Sequence, residues 1–213
     1  MKKNIFCILL IICLMLSMSV VSFADTNAET MIPGPQQTVQ ITYDEYIALM
    51  AAANDLTLQE AKALDARDSQ VKLAKINKLD PNTVTAASTQ YYKASKTFTY
   101  SGNSNFKAKS EATIKLVGAG SMYSISDVTA VWTMGSNGVY TWEWHESSAW
   151  KSGMTASKVD LGGSGYFTIT YNVSAGGGIS VPGFSVSGSV GTTITYTSNS
   201  MQMSWTWYNP YAN

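Results

Sequence analysis

The segment 142–146, Trp-Glu-Trp-His-Glu, holds the most suggestive group of reactive side chains in this chain. On a β-strand, side chains two residues apart point to the same face, so Glu143 and His145 are placed to bind a metal ion or to act as an acid–base pair. Zinc sites usually need three or four protein ligands, and the chain contains no second His. We therefore interpret the two side chains as a solvent-facing polar pair, and we expect no metal and no cofactor.

Other catalytic arrangements are equally sparse. A Ser-His-Asp triad would have to use His145, and no serine stands in a Gly-x-Ser-x-Gly setting. The glycine-rich stretch 162–165 precedes a predicted strand rather than a helix, so it does not match a phosphate-binding loop. No spacing selects two carboxylates as a pair for glycoside hydrolysis. The available ones are Glu111, Asp127, Glu143, Glu146 and Asp160. The sequence therefore predicts a protein that is not an enzyme.

The tryptophans indicate function better than the ionisable residues do. On a strand, Trp142 and Trp144 share one face, and so do Trp205 and Trp207. Such large rings usually fill the core of a β-sheet protein, and that is one interpretation of both pairs. A pair that is exposed instead forms a flat platform for sugar rings or for a membrane interface. The candidate binding surface comprises Trp142, Trp144, Trp205, Trp207 and Tyr208.

The elements that must position these side chains are β-strands. The last 53 residues, 161–213, contain 16 Ser and Thr but no Asp, Glu, Lys, Arg or His. Apolar and polar side chains alternate there, as in 167–170 (FTIT) and 201–207 (MQMSWTW). This period of two predicts half-buried strands whose second face is lined by hydroxyl groups. The same alternation predicts that Val186 and Val190 share a face.

Strand patterns extend back to about residue 90. The clearest lies at 106–116, where apolar residues alternate with charged ones on a predicted solvated face. That face carries Lys107, Lys109, Glu111 and Lys115. About eight or nine strands without helices between them predict a mainly β fold, an antiparallel β-sandwich or barrel over residues 90–213.

A helical hairpin is predicted before the strands, over residues 41–80. Thr42 with Glu45, and Thr57 with Glu60, fit the capping-box pattern, in which a hydroxyl and a carboxylate satisfy the first backbone N–H groups of a helix. We interpret the hairpin as an N-terminal appendage to the β domain.

The first residues predict export. A basic start, an apolar run and a small-residue end are typical of a secretory signal peptide, here residues 1–24 with cleavage after Ala24. Both cysteines lie inside it, so the mature chain has no disulfide. Residues 25–40, which include Pro33-Gly34-Pro35, are interpreted as a flexible lead-in. The expected product is secreted, extracellular or associated with the cell wall, and its layout resembles that of small exported proteins of Gram-positive bacteria.

Charge and composition leave three functions open. Without the signal peptide, 12 basic residues face 14 acidic ones, a net charge of −2 that offers no basic footprint for nucleic acid. The first function is non-catalytic binding of a protein or glycan at the cell envelope or outside the cell. The alternative is a membrane-inserting or pore-forming β protein, because residues 166–196 resemble, in composition, the Ser/Thr-rich amphipathic hairpins of β-pore-forming toxins. The third is self-association through strand edges that carry few charges.

Overall fold

The computed structural model describes residues 30–76, 88–119, 121–136, 142–172 and 183–212. This part of the chain is mainly β, with two helices and two antiparallel sheets, and it is compatible with the predicted β-sandwich. The predicted signal peptide and its cleavage site after Ala24 lie outside the described residues.

The strands are divided between two sheets in chain order. The elements are β1 (Met31–Ile41), α1 (Tyr43–Ala53), α2 (Leu58–Ile76), β2 (Ser88–Tyr100), β3 (Lys107–Ala119), β4 (Met122–Ser136), β5 (Trp142–Ser152), β6 (Lys158–Asn172), β7 (Phe184–Val190), β8 (Thr193–Ser198) and β9 (Met201–Tyr208). The N-terminal sheet has the order β1-β2-β3-β4. The C-terminal sheet has the order β5-β6-β8-β7, and β9 pairs with β6 as well.

The first strand occupies most of the segment that the sequence predicted to be a flexible lead-in. β1 pairs antiparallel with β2, and its register shifts between Pro33 and Gln36. Proline cannot donate a backbone hydrogen bond, but it is tolerated in edge strands and at bulges. The prediction for residues 25–40 was therefore wrong from Met31 onward. In chain order the two helices stand between β1 and β2 of one sheet, so the β domain includes β1 and starts before residue 90.

One core of buried apolar side chains lies between the two sheets. The N-terminal sheet contributes Phe98, Phe106, Ile114 and Leu116, and the C-terminal sheet contributes Leu161, Phe167, Met203, Trp205 and Trp207. Trp205 Nε1 donates a hydrogen bond to Ser110 Oγ at 3.0 Å, and Trp207 Nε1 donates one to Thr38 Oγ1 at 3.1 Å. Since both N–H groups have acceptors, these rings are buried without an unpaired donor.

A break between β8 and β9 keeps the apolar side of both strands in the core. The two strands run end to end along one side of β6, separated by Asn199 and Ser200. In β8 the inward residues are even-numbered, since Tyr196 lies opposite Ile169. In β9 they are odd-numbered, and Met203 is an example. The break thus reverses the alternation once.

A bulge in β7 contradicts the prediction that Val186 and Val190 share a face. The register shifts between Val186 and Gly188, so Val186 lies opposite Tyr196 whereas Val190 lies opposite Thr193. Because Tyr196 and Thr193 point to opposite faces, the two valines do not share a face, contrary to the prediction. Both valines are exposed.

The two helices lie against the N-terminal sheet. Both begin at the capping boxes that the sequence indicates, at Thr42 and at Thr57. A second cluster of buried apolar side chains lies between the helices and this sheet. It contains Tyr46, Ile47, Met50, Ala51 and Ala61, with Tyr91 of β2 packed against it. The rings of Tyr46 and Tyr91 lie 4.5 Å apart, centroid to centroid.

The charged face of β3 is not the solvated face that the alternation predicts. Glu111 and Lys115 are buried. Lys93 Nζ lies 2.9 Å from the carboxylate of Glu111, and Lys115 Nζ lies 2.6 Å from Asp65 of α2. Buried charges need partners of this kind. The second helix therefore covers this face around Lys115, whereas Lys107 at its other end is exposed.

Candidate functional site

The outer face of the C-terminal sheet is the main open surface among the described residues. The helices pack on the other sheet, and the outward positions here are exposed or half-buried, apart from Gly162. Hydroxyl side chains dominate this outer face. They include Ser148, Ser164, Thr168, Thr170, Ser185, Thr195, Thr197, Ser204 and Thr206.

Many of these hydroxyls are paired across the strands. Ser148 and Ser164 hydrogen-bond to each other at 2.8 Å, and Thr197 donates to Ser187 at 2.7 Å. A hydroxyl offers one donor and two acceptor sites, so each pair keeps capacity for a further hydrogen bond. The outer face is therefore orderly and can still hydrogen-bond to a ligand.

Trp150 lies on this outer face. It pairs in register with Gly162, and a Cβ on that glycine would overlap the indole ring and a backbone carbonyl of β9. The glycine-rich stretch 162–165 does not match a phosphate-binding loop. In the structure, its missing side chains leave space for aromatic rings. The Trp150 side chain is 38% exposed. The indole therefore covers Gly162, and part of the side chain remains accessible to a ligand.

A bulge in β5 is what turns Trp150 outward. Strict alternation from Trp142 and Trp144 would have placed it in the core. The register shifts between Glu146 and Ser148, however, and the alternation reverses there. Trp150 was not predicted to be a surface residue, because no local signal in the sequence marks this bulge.

The predicted polar pair does share a face, next to a second ring. His145 Nε2 lies 3.8 Å from Glu143 and 2.8 Å from Thr168 Oγ1. The imidazole stacks on Tyr166, with centroids 4.9 Å apart and planes 19° from parallel. Within the described residues, no group of three or more His, Cys, Asp or Glu side chains is arranged to hold a metal ion. The geometry is that of a stacked aromatic pair with a carboxylate at its margin.

The five predicted surface residues occupy different environments. Trp205 and Trp207 are 5% and 1% exposed, so the core interpretation holds for them and they form no platform. Trp142 and Trp144 are half-buried and face inward, with ring centroids 5.1 Å and 4.8 Å from that of Phe167. Tyr208 is 65% exposed and lies opposite Lys158. Of the predicted residues, only Tyr208 presents most of its ring to solvent.

Charge is confined to the margins of the outer face. From Thr170 to Gly162, every outward position of β6 is uncharged. At the end of the strand, the carboxylate of Asp160 accepts a hydrogen bond from Thr206 at 2.7 Å. The middle of the outer face can therefore accept a neutral ligand without the desolvation of an ion.

A groove adjoins this surface at the edge of β9. Its volume is about 500 Å³. Its lining comprises Thr30, Met31, Pro33, Phe98, Ser200, Met201, Gln202 and Ser204. None of these side chains is charged, so the uncharged surface continues around the sheet edge toward β1.

No family model matches the chain, and no curated protein or solved structure matches it either.

Proposed function

We propose that the protein is a secreted, non-catalytic binding protein whose ligand is a glycan at the cell envelope or outside the cell. The proposal is carried by one observation: the indole of Trp150 lies over Gly162 and is partly exposed on a hydroxyl-lined sheet face. A sugar ring has an apolar face of C–H groups and a rim of hydroxyls. An aromatic ring can cover the first, and Ser and Thr side chains can hydrogen-bond to the second.

The composition of the outer face favours a glycan over a protein partner. The buried centres of protein–protein interfaces are enriched in aromatic residues, Met and Arg, and are depleted of Ser. This surface is rich in Ser and Thr instead, and its aromatic residues are separated by hydroxyls. A protein partner is therefore an outcome of the test and not the proposal.

Export is the second part of the proposal and rests on the predicted signal peptide. Mass spectrometry of the protein recovered from culture medium or cell wall is expected to find a mature chain that begins at Asp25. A product that keeps residues 1–24 would contradict this part alone.

Affinity electrophoresis tests the binding directly. We expect the mature protein to be retarded in gels that contain a neutral polysaccharide, and Trp150→Ala to be retarded clearly less at the same polysaccharide concentration. Met122→Ala is the matched control, because Met122 is an exposed apolar residue of the N-terminal sheet. Equal retardation of wild type and Trp150→Ala would remove Trp150 from the binding surface.

The membrane-inserting alternative has less support. In the part of the chain that the structure describes, no helix is long and apolar enough to cross a bilayer. The apolar residues of the uncharged segment, such as Phe167 and Met203, are already buried in the core. Insertion of these strands would require the two sheets to separate. Dye release from liposomes by the folded mature protein is the measurement that would revive this alternative.

A further inference from the structure

Three aromatic positions follow one another along β6 on the outer face. Tyr166 is stacked on His145, Trp150 covers Gly162, and Tyr208 lies opposite Lys158. On β6, positions 166, 162 and 158 are four residues apart. At about 3.4 Å per residue, neighbouring positions are separated by roughly 14 Å and the outer two by roughly 27 Å.

We propose that the outer face binds a linear, neutral polysaccharide that lies along β6 and contacts Tyr166, Trp150 and Tyr208 in turn. This inference rests on the proposed function and specifies its ligand. The polysaccharide passes from the stacked Tyr166 ring over the indole of Trp150 to the far end of β9.

The separations argue for a polymer rather than for a small sugar. A single sugar ring is much shorter than the roughly 14 Å between neighbouring aromatic positions. A short ligand therefore uses one position, whereas a long one uses all three at once. Contacts joined by one chain become intramolecular after the first, so their effects on affinity multiply without any new type of contact.

The side chains between the aromatic positions fit a polymer of hydroxyl-bearing rings. Ser148, Ser164 and Gln202 lie in one row across the strands between Tyr166 and Trp150. Together they offer donors and acceptors to a passing chain of sugars. The hydrogen bond between the two serines fixes their orientation before a ligand arrives.

Charge at the margins selects against acidic polysaccharides. Glu143 flanks the stacked end of the array, and Asp160 lies between Gly162 and Tyr208. A polymer that carries carboxylate or sulfate groups would place like charges beside both side chains, and such juxtaposition is unfavourable. Lys158 is the cation beside Tyr208.

The test begins with four soluble neutral polymers: a glucan, a xylan, a mannan and a galactan. Each is screened by affinity electrophoresis, beside an acidic pectin as the charged comparison. Oligosaccharides of the polymer that binds, from disaccharide to octasaccharide, are then titrated calorimetrically. We expect the octasaccharide to bind at least about tenfold more tightly than the disaccharide.

Single substitutions then examine each aromatic position. Trp150→Ala, Tyr166→Ala and Tyr208→Ala are each expected to weaken polymer binding about tenfold, which corresponds to about 1.4 kcal/mol per position. Binding of the disaccharide should respond to one of the three substitutions only. Thermal unfolding of each variant shows whether it is folded, and Met122→Ala should bind as wild type does.

The outcomes separate the two levels of the proposal. Failure of all four neutral polymers to bind would contradict both the glycan function and the linear site. Binding that is independent of oligosaccharide length, or that is unchanged by Tyr208→Ala, would overturn the linear array and leave the glycan function standing. Tighter binding of the acidic pectin would overturn the assignment of a neutral ligand.

Discussion

The buried ion pair between Asp65 and Lys115 offers a sharp test of how the helices are attached to the sheet. Asp65 lies on α2 and Lys115 on β3, and their charged atoms are 2.6 Å apart. The two side chains are only 8% and 7% exposed. Lys115 Nζ also donates to Ser69 Oγ at 2.9 Å. Water therefore has little access to the ammonium group.

Replacement of Asp65 by Asn leaves that ammonium buried beside a neutral amide. Breaking a buried pair by removing one partner typically costs about 3–5 kcal/mol, because the remaining charge is uncompensated. Lys115 keeps its hydrogen bond to Ser69, so we expect the lower end, a loss of about 3 kcal/mol in the free energy of unfolding. Replacing both partners by apolar residues, Asp65→Leu with Lys115→Met, should recover most of this loss.

Urea unfolding measures the effect, with tryptophan fluorescence for the core and far-ultraviolet circular dichroism for the helices. Asp44→Asn is the matched control, since Asp44 and Lys62 form an ion pair of 3.3 Å between mainly exposed side chains. Exposed pairs contribute less than about 1 kcal/mol. If Asp65→Asn lowers the free energy of unfolding no more than Asp44→Asn does, the pair does not secure the helices and the reasoning is refuted.

Three further predictions concern the start of the first helix, the half-buried Tyr91 and the glycine under the indole. Hydrogen bonds from the backbone and hydroxyl of Thr42 lower the pKa of Glu45 below its ordinary 4.5. The stabilising contribution of the Glu45 carboxylate is therefore complete above pH 4.5 and is lost as the pH falls through the lowered pKa. Glu45→Gln should make the unfolding temperature fall less steeply with acidification. Burial and a nearby aspartate raise the pKa of Tyr91 from 10.0 to about 12. Its contribution is therefore complete below pH 10 and is lost as the pH rises to about 12, and Tyr91→Phe should remove this loss in alkaline denaturation. Gly162→Ala, whose Cβ would overlap a ring and a carbonyl, should lower stability by about 1–3 kcal/mol by calorimetry; Gly188→Ala, with open space around it, should show no such steric loss.

The sequence correctly predicted the features that depend on residues close to one another in the chain. The capping boxes at Thr42 and Thr57 are made within four residues, and both are present. The alternation of 201–207 likewise places Trp205 and Trp207 on one buried face. Each of these features is decided by side-chain periodicity or by a contact between residues that are close in sequence.

The features missed by sequence analysis depend on pairing between distant segments. β1 is a strand because β2 accepts it along its edge, and the prolines at 33 and 35 concealed this from a local reading. The bulge in β5 reverses the alternation without a local sequence signal and brings Trp150 to the surface. The bulge in β7, next to Gly188, reverses the alternation as well. Of the aromatic residues exposed or partly exposed on this outer face, the sequence therefore indicated Tyr208 but not Trp150 or Tyr166.

The burial of Lys115 and Glu111 was not predicted for the same reason: it depends on segments that are distant in the sequence. Alternation along β3 shows that the two side chains share a face, but it does not show which element covers that face. The helices were predicted as an appendage, yet they supply Asp65 to this face. Consequently α2 covers the Lys115 end of the charged face, whereas no helix covers the hydroxyl-lined sheet face in the described part of the chain.

Hydroxyl-radical footprinting tests most directly whether the outer face of the C-terminal sheet is the binding surface. The mature protein is oxidised with and without the neutral polysaccharide that retards it, and side-chain oxidation is quantified by mass spectrometry. We expect the ligand to protect Trp150 and Tyr208, while Met122 on the N-terminal sheet is oxidised equally in both samples. Protection of Met122 with unchanged oxidation of Trp150 would contradict it.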